Sequence, residues 1–106
     1  MSNFKIEYEP IHPGDILKTE FLDEMGITQS QLSKELGVTY AAINEIVHGK
    51  RGISIEMAFK LGKYFGMSAD FWVNLQKQYE MYLFLYNEKK QSKLEKVKPL
   101  KIEELV

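Results

Sequence analysis

The sequence has no cysteine. Disulfides and thiolate metal sites are therefore excluded, and a reducing cytoplasm is the expected location. No apolar run is long enough to span a bilayer and no signal peptide opens the chain, so no membrane partner is expected. Histidine is scarce: His12 and His48 stand far apart, on different elements, without metal-ligand spacing. Neither a G-x-S-x-G elbow nor a phosphate-binding G-x-x-x-x-G-K-S/T run occurs. Carboxylate pairs such as Asp23-Glu24 and Glu103-Glu104 are adjacent in sequence. Side chains at i and i+1 on a helix diverge, which makes these poor acid–base pairs. No enzyme, no metal site and no cofactor is expected.

What is present is enough for one modest domain: 106 residues, 44% of them hydrophobic. A net charge of −1 argues against a uniformly basic coat, but the charge is unevenly spread. Residues 1–27 carry two cations and six anions, 28–66 five and three, 67–106 seven and six. The acidic excess thus lies at the start, and a modest basic excess lies in the middle.

That middle holds the stretch Thr28 to Arg51, which reads as two short helices around a tight turn. Thr28 is a good N-cap with Gln31 three residues on, as a capping box requires. Leu32 and Leu36 form one apolar stripe. Gly37 breaks the helix where a left-handed backbone costs glycine nothing, and Val38 plugs the corner. Thr39 caps a second helix, whose Ala42, Ile43, Ile46 and Val47 share one side at helical spacing. Ala41, Asn44, Glu45 and His48 fill the opposite side, with Tyr40 on the flank. Lys50 and Arg51 follow Gly49 at once. A narrow mixed face near a helix N-terminus, followed by cations, is what reading base edges in a major groove requires. The expected DNA-binding residues are Gln29, Thr39, Tyr40, Ala41, Asn44, Glu45, Lys50 and Arg51. Asn44, Ala41 and Tyr40 are expected to face bases, and Gln29, Lys50 and Arg51 to face the backbone.

The stretch resembles the helix-turn-helix of the phage-repressor-like (Xre) family. Ser33, the Gly37-Val38 turn and the apolar Leu32, Leu36, Ile43 and Ile46 stand at that motif's spacing. Ser33 stands where many members have alanine. A second resemblance covers about Pro13 to Tyr82. The strings HPGDIL, HGKRGISIEMAFKLGKYFG and SADFWVNLQKQYEM are similar to those of the HigA-type antitoxins of bacterial toxin–antitoxin modules. It implies an autorepressor that binds double-stranded operator DNA. It also implies a partner toxin, a small basic ribonuclease of the RelE-like class that cleaves messenger RNA at the ribosome. A free-standing repressor without a toxin is the alternative. A third reading is a helix-turn-helix scaffold without DNA binding.

The rest of the chain is read around this motif. Asn3 to Glu9 alternates Phe4, Ile6 and Tyr8 with charges, which is either a strand or a tail that happens to alternate. Pro13 suits the first position of a helix, with His12 as its cap and Asp15 in its first turn. Ile16, Leu17, Phe21, Leu22 and Met25 make its apolar face, and Gly26 ends it. Its outer face, Glu20, Asp23 and Glu24, reads either as a solvated face or as a docking surface for the basic toxin. Ser54 caps a fourth helix with Ala58, Leu61 and Phe65 inward. Ser68 caps a long fifth helix to about Asn87. Its stripe of Trp72, Leu75, Tyr79, Tyr82, Leu83 and Tyr86 is expected to form a homodimer, the competing reading being a core within one chain. From Glu88 a lysine-rich stretch reads as a fraying helix end or linker, before Pro99 and a strand-like Leu100-Ile102. The expected fold is all-α: a five-helix phage-repressor-like domain over residues 13–87, between a strand-like arm at 1–12 and a tail at 88–106.

Overall fold

Residues 11–101 are described in the computed structural model of the chain, and every regular element among them is helical. The first helical rod, α1, spans 13–25. It is α-helical over Pro13–Ile16, π-helical over Leu17–Leu22 and α-helical again over Asp23–Met25. Then come α2 (Gln29–Leu36), α3 (Tyr40–Val47), α4 (Ile55–Phe65), α5 (Ala69–Leu85) and α6 (Glu88–Glu95).

The caps are the ones the sequence announces. Side chains of Thr28, Thr39 and Ser54 accept from the backbone N–H groups of Gln31, Ala42 and Met57 at 3.0–3.1 Å. His12 Nδ1 accepts from Gly14 at 2.8 Å, and Ser68 accepts from Asp70 at 3.1 Å. The ends of α1 to α4 follow one pattern. Gly26, Gly37, Gly49 and Gly66 are left-handed, with φ between 68° and 74°. The residue after each glycine donates its N–H back to a carbonyl five residues earlier: Ile27 to Leu22, Val38 to Ser33, Lys50 to Glu45 and Met67 to Gly62. This is the Schellman closure, which normally carries an apolar contact at the returning residue. Ile27, Val38 and Met67 supply that contact against the core.

The core gathers Leu17, Leu22, Leu32, Leu36, Ile43, Ile46, Val47, Ile53, Met57, Ala58, Leu61 and Trp72. Two glycines set how closely its helices approach. A Cβ on Gly14 would collide with the backbone carbonyl of Ile46, so α1 lies directly on the last turn of α3. A Cβ on Gly62 would stand 2.8 Å from the Met67 carbonyl oxygen, which holds the α4–α5 corner tight.

Several expectations are corrected. Among the described residues there are six helices where five are expected. The polar stretch after Glu88 forms α6, capped by Asn87, whose Oδ1 accepts from Lys90 N–H at 2.9 Å. The π turn brings residues five apart onto one face, so Leu17 and Leu22 are both buried. Met25 does not join them. Gly26 turns the chain immediately after it, Ile27 occupies the apolar position, and Met25 stays exposed.

Trp72 is no part of a dimer stripe. It is fully buried within its own chain, with its ring centroid 5.0 Å from that of Phe21. Leu75 also packs on the core, and Tyr79 meets His12 edge-on at 4.8 Å. The apolar surface of α5 is therefore divided along its length. The first half lies in the core; beyond Glu80, Met81, Leu83, Phe84, Leu85 and Tyr86 are 38–64% exposed. The alternating segment at 3–9 and Ile102 lie outside the described residues. Leu100 is exposed and belongs to no strand.

Candidate nucleic-acid interface

Helix α3 is the centre of the site. Ala42, Ile43, Ile46 and Val47 are buried, which turns the other side outward. Tyr40 and Ala41 are exposed there, while Asn44 and Glu45 are half-buried. The Thr39 hydroxyl is engaged as the cap of the helix, holding Ala42 N–H at 3.0 Å. His48 lies at the far end, its Nδ1 2.8 Å from the Asn44 carbonyl oxygen.

Two of the expected DNA-binding residues touch across the turn. Asn44 Nδ2 donates to Gln29 Oε1 at 2.9 Å, although fifteen residues separate them. Gln29 opens α2 and Asn44 sits mid-way along α3, so the bond staples the two helices on their outer side. It uses one N–H of the Asn44 amide. The second N–H and the amide oxygen remain, which is the donor–acceptor pair that matches adenine's N7 and N6 in the major groove.

The cations follow. The Schellman closure at Gly49 differs from the other three because its returning residue is Lys50, which is exposed. Where an apolar plug would fold the chain inward, a lysine leads it out. Arg51 is held by Glu45: Nε donates to Oε1 at 2.9 Å, and the guanidinium closes an ion pair at 2.7 Å. Half-exposed, the pair contributes little stability. Its planar fork does fix the direction of the guanidinium. Glu45, expected among the DNA-binding residues, thus orients Arg51.

The loop ends at Ile53, which is buried, and its N–H donates to Gln76 Oε1 on α5 at 2.8 Å. Sequence reasoning does not single out Gln76. Its neighbours Asn74, Lys77 and Gln78 are equally polar, so no local signal marks it. The acidic residues Glu20, Asp23 and Glu24 are all exposed on α1. Asp23 forms an ion pair with Lys18 at 2.8 Å, a five-residue spacing that the π turn makes possible. Among the described residues, no group of three or more His, Cys, Asp or Glu is placed to hold a metal ion. No helix among them is long and apolar enough to cross a membrane.

Comparison with known proteins agrees with this geometry. The helix-turn-helix family HTH_3 matches residues 19–72. The virulence-associated protein I of Dichelobacter nodosus is 44% identical over 73% of this chain and 71% of its own length. Antitoxin HigA-1 of Vibrio cholerae is 33% identical over 68% of each chain. The structure of the Pseudomonas aeruginosa antitoxin HigA with the higBA promoter superposes with a TM-score of 0.78 at 42% identity, covering 88% of this chain and all of that one. The chain belongs to the Xre-like helix-turn-helix family, and HigA antitoxins are among its structural neighbours.

Proposed function

We propose that this chain is a cytoplasmic, DNA-binding antitoxin that represses its own operon as a dimer and neutralises a small basic RelE-like toxin that cleaves messenger RNA. The observation that carries the DNA-binding part is the Gln29–Asn44 bond. It presents a pre-oriented amide at the solvent side of α3, between exposed Tyr40 and Ala41 on one side and Lys50 and Arg51 on the other. Asn44 would pair with adenine, and Tyr40 and Ala41 would lie against a thymine methyl. Lys50 and Arg51 would meet phosphate beside the N-terminus of α4. The complex of the Pseudomonas relative with a promoter supports the same role here.

The dimer is assigned to the outer half of α5, where Tyr82, Leu83 and Tyr86 of the expected stripe lie. In a symmetric dimer the half-sites would stand about 34 Å, or roughly 10 base pairs, apart. Toxin binding is assigned to α1. Glu20, Asp23 and Glu24 lie on a different helix from the reading residues, so toxin and operator need not compete. An acidic face also speeds encounter with a cationic partner.

The test has two arms. A gel shift with DNA from upstream of the gene should be salt-sensitive and weakened by Asn44→Ala. Growth rescue on co-expression with the neighbouring gene should survive Asn44→Ala and weaken when Glu20, Asp23 and Glu24 are reversed to lysine. A neighbouring product without toxicity would leave a free-standing repressor.

A further inference from the structure

The loop that carries Lys50 and Arg51 is tied to α3 by the Lys50 N–H bond to the Glu45 carbonyl and by the Arg51–Glu45 pair, and on its far side it depends on one buried residue. Gly49, Lys50, Arg51 and Gly52 are all exposed. Its anchor is Ile53, and the anchor's backbone N–H is held by a side chain from another helix, Gln76 of α5, at 2.8 Å. The same amide is fixed at its other end, since Gln76 Nε2 donates to Glu80 Oε2 at 2.9 Å, one turn along α5. Gly52 makes room for it. A Cβ at that position would lie 2.6 Å from Gln76 Nε2 and 2.9 Å from its carbon. Loop, glutamine and helix therefore fit as three interlocking parts.

We propose that Gln76 is a positioning residue for DNA binding: it fastens the Lys50–Arg51 loop to α5 in the geometry in which both cations reach phosphate. The proposal rests on the DNA-binding reading above. A loop already held in its bound geometry does not lose that conformational freedom when it meets DNA, so its charges act at full effect. Gln76 itself need not touch the duplex.

The experiment uses the full chain and two readouts: affinity for a labelled upstream duplex across a salt series, and hydrogen exchange of the Ile53 amide in the free protein. Gln76→Ala should speed Ile53 exchange and weaken operator binding roughly three- to tenfold, the worth of about one hydrogen bond. The plot of log affinity against log salt should flatten by about one unit for each phosphate contact that the loop no longer makes. The paired substitution Gln76→Glu with Glu80→Gln keeps an acceptor for Ile53, a donor beside it and the same net charge. It should restore Ile53 protection and most of the affinity. Gly52→Ala, which leaves Gln76 in place but crowds its amide, should repeat the Gln76→Ala result and carries the test if that variant does not fold. Unchanged Ile53 exchange in Gln76→Ala, or weaker binding with an unchanged salt slope, would overturn the proposal. If the wild-type chain does not bind the duplex at all, the DNA-binding reading fails and takes the proposal with it. If it binds and Gln76→Ala binds equally well, only the role of Gln76 fails.

Discussion

At the scale of residues, the site depends on amide and imidazole groups whose second bond decides their use. Asn44→Ala should cost roughly 1–3 kcal/mol of operator affinity and relax one base position. Gln29→Ala should cost less and act through the same position. A double-mutant cycle in which the two losses add would show that Gln29 does not act by orienting Asn44. His12 offers a pH test. Its imidazole is partly buried, accepts from Gly14 N–H at Nδ1 and stands edge-on to Tyr79. Burial lowers its pKa from 6.5, against the opposing pull of Asp15. A histidine whose pKa is lower when folded binds fewer protons in the native state. Its contribution is complete above pH 6.5 and is lost as pH falls toward the folded value. The melting temperature should therefore drop over that interval, and His12→Asn, which keeps a capping side chain, should flatten the drop. The place of Asn44 on the side of α3 away from the core and the His12 cap were legible in the sequence, because each depends on local spacing. The Gln29–Asn44 and Glu45–Arg51 bonds were not, since each depends on how separate segments meet.

At the scale of elements, α2 to α4 were legible because caps and left-handed glycines leave marks at fixed positions. Two elements were not. The π turn of α1 has no propensity of its own; Leu17 and Leu22, five residues apart, were read with Ile16, Phe21 and Met25 as the face of an ordinary helix. Helix α6 buries none of its residues, so it has no apolar stripe to find; only Asn87 announces it. The reason for the glycine in HPGDIL also lay beyond the sequence. Gly14 is where α1 touches α3 backbone to backbone. Gly14→Ala should destabilise the fold by about 1–3 kcal/mol through overpacking. Denaturant unfolding checks this, and a variant as stable as the wild type would mean that the two helices slide freely.

At the scale of the molecule, the long aromatic helix α5 was read as having two apolar faces, where the structure divides its apolar surface along its length. A wheel projects all turns onto one circle and cannot show that the core ends part-way along. The described chain measures 60 × 32 × 21 Å, and its outer apolar residues run from Met81 to Leu85, with Tyr86 at the cap. Light scattering at micromolar concentration should give a dimer, and Leu83→Glu with Tyr86→Glu should give a monomer in which Trp72 remains buried. The π turn has a separate consequence for the whole chain. Its two flanks are fastened independently, Gly14 to the end of α3 and Leu22 to the core. The helix therefore holds one residue more than the distance between its moorings requires. Shortening it at Thr19 should let an ordinary α-helix span the same gap, leaving operator recognition intact while shifting Glu20 around the axis.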